Sequence, residues 1–154
     1  MRLSQSVINF LKRQSFVIVS TLDENKKIHS SIKGIANIDK EGNIYIIDLY
    51  RRRTLSNLKK DPTITITAVD EKRFLGFCIK GKAKIIEKDK IEKEIIKEWD
   101  KKVIERISKR LIRNVRGQRI ALFHPEASFP FPQYLILMQP EEVVNLSPKE
   151  LRKS

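Results

Sequence analysis

The stretch NIYIIDLYRRRTLSNLKKDP, residues 43–62, predicts a strand, a basic turn and a short helix in direct succession. Isoleucine, tyrosine and leucine dominate 43–49, and such side chains favour strands. Three consecutive arginines follow, and Thr54 is expected to cap the N-terminus of a helix over 53–61. Pro62 disfavours helical backbone at the residue before it, so we expect the helix to end there.

Apolar alternation predicts strands on both sides of this stretch. Residues 39–42, Asp-Lys-Glu-Gly, are typical of a hairpin turn, so the strands before and after them are expected to pair as antiparallel neighbours. Pro140 is expected to end the last strand. The further strands are predicted at 15–23, 28–38, 63–69, 73–88, 119–123 and 134–138.

Two more helices are predicted outside these strands. Residues 3–14 carry apolar side chains at helical spacing, with Ser4 or Ser6 as the N-cap. Residues 89–116 carry an apolar residue at every fourth position, which indicates a long amphipathic helix. Trp99 belongs to that apolar face and is expected to pack in a core or between subunits.

These elements predict a mainly β protein with peripheral helices. The economical arrangement is one domain over 1–154, a small antiparallel Greek-key barrel built from strands within 15–88 and closed by strands within 118–146. Closure into a barrel removes the exposed strand edges that a small sheet otherwise has to protect.

The charge balance and the few cysteines and histidines indicate which kinds of partner and site to expect. The 154 residues include 32 lysines and arginines and 19 acidic residues, a net charge of +13. This excess favours polyanionic partners, with a solvated lysine-rich surface as the alternative. The lone Cys78 cannot form an intramolecular disulfide, and His29 and His124 lack metal-ligand spacing.

The same composition predicts the compartment. No apolar run approaches the roughly 20 residues that span a bilayer, and a lone cysteine suits a reducing compartment, so we expect a cytoplasmic protein without a membrane partner. Abundant isoleucine, lysine and glutamate with little cysteine or methionine is reported for proteins of hot environments.

The arginine run at 51–53 is the strongest candidate for a binding site. Guanidinium groups contact phosphate oxygens in pairs, and the N–H groups at a helix start attract anions. The alternative is a solvated basic turn. Neither a GxGxxG sequence nor a Walker loop is present, so no standard dinucleotide or P-loop site is predicted.

Taken in order, the segments resemble the pyridoxamine 5′-phosphate oxidase-related FMN-binding split barrels. No single motif is highly specific, and the order of the segments carries the resemblance. The segments are VIVSTLDENKKIHSSIKG (17–34), IYIIDL (44–49), RRRTLSNLKKDPTITI (51–66), CIKGKAKII (78–86) and YLILMQPEEVV (134–144).

The resemblance implies a homodimer with two flavin sites at the subunit interface. It implies no catalytic residue, because the flavin supplies the chemistry. We add the hypothesis that Lys33 stabilises negative charge on the reduced ring. By position, the cofactor-binding residues would be Ser31, Ile32 and Lys33 along the flavin ring, Asp48 and Leu49 at the end of a strand, Arg52, Arg53 and Thr54 at the phosphate, and Asn57 in a structural role.

Three departures from the family pattern bear on this interpretation. Thr54 stands where relatives commonly have lysine, and Asp48 stands where threonine is common, which brings an anion near the phosphate unless an arginine neutralises it. The C-terminal residues 140–154 lack the Arg, Trp and His set of the true pyridoxamine phosphate oxidases, so vitamin B6 oxidation is not expected.

The expected function is therefore an FMN-binding oxidoreductase that transfers hydride or electrons to an unknown small molecule. Two alternatives stay open. One is an F420-dependent reductase on the same fold. The resemblance also includes superfamily members that bind heme. The second is a cofactor-free nucleic-acid-binding module that uses the basic helix at 101–119. Separately, Lys80, Lys82 and Lys84 share one strand face, which is either a second anion surface for a phosphorylated substrate or the solvated face of a half-buried strand.

Overall fold

Six antiparallel strands form the body of the molecule in the computed structural model, which describes residues 1–49, 51–115 and 133–152. For residues 106–115 it describes the backbone alone. The strands are β1 (Val17–Leu22), β2 (Ile28–Ile38), β3 (Ile44–Asp48), β4 (Thr63–Asp70), β5 (Leu75–Glu87) and β6 (Tyr134–Asn145). The helices are α1 (Gln5–Lys12), α2 (Arg53–Lys60) and α3 (Lys93–Val115), and short 3-10 turns lie at Lys88–Lys90 and Lys149–Leu151.

The strands close into a barrel in the order β1-β2-β3-β6-β5-β4, with every neighbouring pair antiparallel. This confirms the prediction of a mainly β antiparallel barrel with peripheral helices, and it is consistent with a split β-barrel. The strand after the basic turn, β4, returns to pair with β1, and β6 closes the barrel between β3 and β5.

The barrel interior is filled by alternate side chains from all six strands together with α1 and α2. Ser4 is the N-cap of α1 and accepts a hydrogen bond from the Val7 amide. Phe10 of this helix meets Phe77 of β5 edge to face, with ring centroids 5.1 Å apart. The fully buried core side chains include Leu11, Ile44, Ile46, Ile64, Ile66, Ile79, Ile136 and Met138.

A second apolar cluster lies outside the barrel, beneath α3. Ile91, Ile95 and Trp99 pack against Ile47 and Leu135 on the outer face of the sheet. The Trp99 ring also lies over Gly34, where an added Cβ would come within 2.6 Å of its Cζ3 atom. Trp99 is therefore a core residue, one of the two roles predicted for it.

A β-bulge in β2 helps to hold α3 in position. The pairing of β2 with β3 shifts register between Ile35 and Asn37. The Lys102 ammonium group donates to the carbonyl oxygens of Ile35 and Ala36, at 2.7 and 3.3 Å. These bonds satisfy backbone groups at the irregularity and connect α3 to the sheet.

The predicted end of the last strand is wrong. Pro140 does not end β6, which continues to Asn145, because a register shift between Lys80 and Gly81 on β5 falls opposite it. A bulge tolerates proline because the missing amide needs no ladder partner there, and the absence of a Cβ on Gly81 leaves room for the close backbone of Gln139.

The long helix begins at Lys93 rather than at residue 89, since Lys88–Lys90 form a 3-10 turn first. The strand predicted at 119–123 and the helix end predicted at residue 116 lie outside the described residues. Within the part of the chain that the structure describes, no helix combines the length and the apolar character needed to cross a membrane.

Candidate functional site

A buried carboxylate marks the point where β3 leads into the basic turn. Asp48 is 1% exposed, and its Oδ1 atom accepts a hydrogen bond from the Lys33 ammonium group at 2.7 Å. Its Oδ2 atom accepts one from the Tyr134 hydroxyl. Asp48 and Tyr134 are directly opposite in the β3–β6 ladder, so the strand register sets this contact. Both carboxylate oxygens are thus paired, as a buried charge requires.

Tyr134 is held in its neutral form. Burial of the ring raises the pKa of its hydroxyl above the ordinary value, and the hydrogen bond to Asp48 raises the pKa further. The phenol therefore stays protonated over the physiological pH range and donates to the carboxylate. Lys33 supplies the neutralising charge that an arginine was expected to supply, because β2 brings the ammonium group to the end of β3.

Arg51, the first arginine of the run, contacts the same tyrosine from the other side. Its guanidinium carbon lies 5.5 Å from the centroid of the Tyr134 ring, within cation–π range. Its Nη2 atom donates a hydrogen bond to Oε2 of Glu87 at 2.6 Å. The hydrogen bond from Arg51 lowers the pKa of Glu87, so the carboxyl group is ionised at neutral pH. Glu87 reaches this place because it pairs with Tyr134 in the β5–β6 ladder.

Helix α2 is joined to the barrel wall by two hydroxyl contacts. The Thr54 hydroxyl lies 3.1 Å from the Ser31 hydroxyl of β2. One turn further along, the Asn57 amide donates to the Thr21 hydroxyl of β1 at 3.0 Å, in a buried position. Asn57 thus helps to hold α2 against β1.

The prediction that Thr54 caps α2 is wrong. The helix begins at Arg53, Arg52 occupies the N-cap position, and no side chain caps the first turn. The Thr54 hydroxyl is directed to the barrel wall instead, where Ser31 engages it. A helix start without a side-chain cap leaves its first amide groups to water or to a bound anion.

The structure brings together some of the predicted site residues and separates others. Ser31 meets Thr54, and Lys33 meets Asp48, on the inward side of β2. Ile32 lies on the opposite face of the strand and is 66% exposed. Leu49 packs with the outer cluster beneath α3. Arg52 and Arg53 are exposed at the start of α2.

Sequence reasoning missed Tyr134 and Glu87 as members of this cluster. Glu87 lies in none of the quoted segments, and Tyr134 begins the last of them with no site role assigned to it. Both are more than 30 residues from the arginine run along the chain. They join the cluster only because β6 lies between β3 and β5. An aspartate at the end of an apolar strand was the one available signal, since a carboxylate that is buried there requires a cation or donor from a neighbouring strand.

The outer face of β1 and β2 is apolar and exposed. Ile18 and Ile32 are directly opposite in the ladder, at 39% and 66% exposure, and Ile28 is 77% exposed. Between them the Ser20 and Ser30 hydroxyls lie 2.8 Å apart. Adjacent exposed isoleucines on two neighbouring strands form a patch typical of an interaction surface.

The closed barrel, with its polar cluster where β3 meets α2, defines a small split β-barrel protein. Its sequence matches the family model for pyridoxamine 5′-phosphate oxidase over residues 3–131. The chain therefore belongs to the pyridoxamine 5′-phosphate oxidase family, as the resemblance implied. No curated protein sequence matches it significantly.

Several solved structures share this fold. HupZ of Group A Streptococcus is similar with a TM-score of 0.63 and 16% identity, covering 94% of each chain. A pyridoxamine 5′-phosphate oxidase-related, FMN binding protein of Nostoc punctiforme gives 0.58 and 14%, covering 94% of this chain and 86% of that one. HutZ, the heme storage protein of Vibrio cholerae, gives 0.55 and 17%, covering 94% of each. At these identities the likeness shows the fold alone.

Proposed function

We propose that this protein binds FMN beside β2 and the start of α2, and that it acts as an oxidoreductase toward a small-molecule acceptor. One observation carries the proposal. The hydrogen bond between Ser31 and Thr54 joins the strand that the resemblance assigns to the flavin ring to the helix turn that it assigns to the phosphate. The FMN-binding relative with the same fold supports this choice of cofactor.

The residues at the start of α2 fit a phosphate group. Arg52 and Arg53 are exposed there, and the first turn of the helix carries no side-chain cap. Both features favour a doubly charged anion. The nearest buried carboxylate, Asp48, is compensated by Lys33 and Tyr134, so its repulsion of a phosphate is reduced.

When bound, FMN supplies hydride or electron transfer at its ring. The chain's own residues bind and orient it. Arg52 and Arg53 contact the phosphate, and the Ser31–Thr54 bond holds strand and helix at a constant separation. Lys33, held by Asp48, is the cation that we propose to stabilise negative charge on the reduced ring. Lys33→Ala removes this cation and leaves Asp48 without its charge partner, so we expect the reduction potential of bound FMN to fall.

Cofactor identity is tested by the visible spectrum of the purified protein and by analysis of the chromophore that denaturation releases. We expect yellow protein that releases FMN. Release of F420, or a heme Soret band in the spectrum, would identify that cofactor in place of FMN and contradict this choice. Colourless protein that ignores added flavin and retards DNA or RNA at low salt would instead favour the nucleic-acid module.

The phosphate site is tested by titrating cofactor-free protein with FMN and with riboflavin, which lacks the phosphate. The double variant Arg52→Gln/Arg53→Gln should bind FMN at least about tenfold more weakly, because it loses charge-assisted hydrogen bonds, and should bind riboflavin unchanged. Lys82→Gln/Lys84→Gln removes the same charge from the outer face of β5 and is the matched control. Equal losses of FMN affinity in both double variants would show that net charge alone causes the effect, and would contradict the proposed site.

A further inference from the structure

One of the three arginines of the basic turn at 51–53 already forms an ion pair with a carboxylate of the protein. Glu87 Oε2 lies 2.6 Å from the Nη2 atom of Arg51. The same nitrogen donates to the Gln133 carbonyl oxygen at 3.4 Å. Arg51 directly precedes Arg52 and Arg53, the residues to which we assign the phosphate. The turn therefore holds an internal anion next to its proposed anion site.

We propose that Glu87 sets the affinity of this site for phosphate-bearing ligands by competing with the phosphate for the Arg51 guanidinium. The inference rests on the proposed function, because it requires a phosphate at the basic turn. Carboxylate and phosphate oxygens accept hydrogen bonds from a guanidinium fork in the same geometry, so the two anions compete for one group of donors.

The exposure of the pair makes this exchange feasible. The side chains of Arg51 and Glu87 are 45% and 46% exposed, and ion pairs between exposed groups contribute little net stability. Water replaces the lost contact to Glu87 when the guanidinium turns to another anion. Glu87 is thus a weakly held partner that a doubly charged ligand can displace.

The neighbouring ion pair lacks this property. Lys33 and Asp48 are 14% and 1% exposed, and breaking that pair would leave an uncompensated charge in the protein interior. Two ion pairs of similar length therefore differ in role. The buried pair stabilises the barrel end, and the exposed pair is available for exchange with ligand.

Arg51 keeps its place during such an exchange because a second contact holds it. The guanidinium lies over the Tyr134 ring, whose hydroxyl is bonded to buried Asp48. This cation–π contact does not use the N–H donors in the plane of the group. Loss of Glu87 therefore leaves Arg51 positioned at the turn, with more of its donors open to a ligand.

The test is titration of cofactor-free protein with FMN and with riboflavin. Glu87→Gln keeps the size of the side chain and removes its charge, so FMN should bind roughly threefold tighter, the scale of one exposed ion pair, while riboflavin binding stays unchanged. Glu142→Gln is the matched control, because Glu142 pairs with Lys80 at a comparable exposure elsewhere on the barrel. It should leave both affinities unchanged.

A double-mutant cycle separates competition from a general charge effect. In an Arg51→Met background, Glu87→Gln should no longer change FMN affinity. An unchanged or weaker FMN affinity in Glu87→Gln, with FMN still bound by the wild type, would overturn the competition alone. A persistent gain without Arg51 would do so as well. Failure of the wild type to bind FMN at all would overturn the proposed function together with this inference.

Discussion

At the residue scale, the polar cluster depends on Asp48, whose carboxylate is buried away from water. Its two oxygens are satisfied by Lys33 and by Tyr134, and both contacts cross between strands. Removing either donor leaves an oxygen in the interior without its partner, and such a loss exceeds the net value of the bond itself. Arg51 lies over the Tyr134 ring, so this buried cluster also adjoins the proposed phosphate site.

Tyr134→Phe is therefore expected to lower the free energy of unfolding by about 1–3 kcal/mol, because it deletes a buried donor and keeps the ring. Urea denaturation measures the loss. Tyr45→Phe is the control, since the Tyr45 hydroxyl makes a 3.4 Å hydrogen bond to Asp39 in a partly buried position, and we expect a loss below about 0.5 kcal/mol. Equal losses for the two variants would contradict a special role for the Asp48 contact.

At the element scale, α3 is attached to the barrel by one aromatic contact and one lysine. Trp99 fills the space above Gly34, and the Lys102 ammonium group bonds to the carbonyl oxygens at the bulge of β2. The strand that carries Ser31 and Lys33 toward the candidate site also carries Gly34 and Ala36 toward α3. The same strand, β2, therefore contacts α3 and carries residues of the candidate site.

Gly34→Ala should destabilise the protein by about 1–3 kcal/mol, because the new Cβ would lie 2.6 Å from Trp99 Cζ3. Thermal or urea unfolding measures this loss. In a Trp99→Leu background the same substitution should cost less, since the smaller side chain makes room. Equal losses in both backgrounds would show that the ring contact is not the cause.

At the scale of the whole molecule, we propose that the exposed isoleucines of β1 and β2 pack against a second copy of the chain. Ile18 and Ile32 face each other across the ladder, and Ile32 is the residue next to Ser31 and Lys33. A subunit packed on this face would lie close to the proposed flavin site. The patch and the family resemblance both support a homodimer.

Ile32→Glu should therefore convert the dimer to monomer, because a charge would be buried in the interface, and should weaken FMN binding at the same time. Analytical ultracentrifugation measures the assembly. Ile104→Glu, at a residue of similar exposure on α3, is the control and should leave the dimer intact. A wild-type protein that sediments as a monomer would contradict the proposed interface.

Much of the fold could be read from local patterns. The polar turn at 39–42 and the alternation in β4 and β5 predicted antiparallel strands at nearly their observed bounds, because side-chain periodicity follows directly from strand geometry. The Pro140 prediction failed because a tertiary feature, the bulge opposite Gly81, removes the penalty that proline normally carries in a strand.

Composition and local patterns were enough to predict a basic, mainly β protein with an arginine run before a short helix, since these properties depend on residues close together in the chain. The tertiary structure alone decided which charges are paired. It joined Asp48 to Tyr134, and Arg51 to Glu87, by setting β6 between β3 and β5. The Lys33–Asp48 pair follows instead from the pairing of β2 with β3. The position of β6 is set by long-range packing, so no local pattern reveals it.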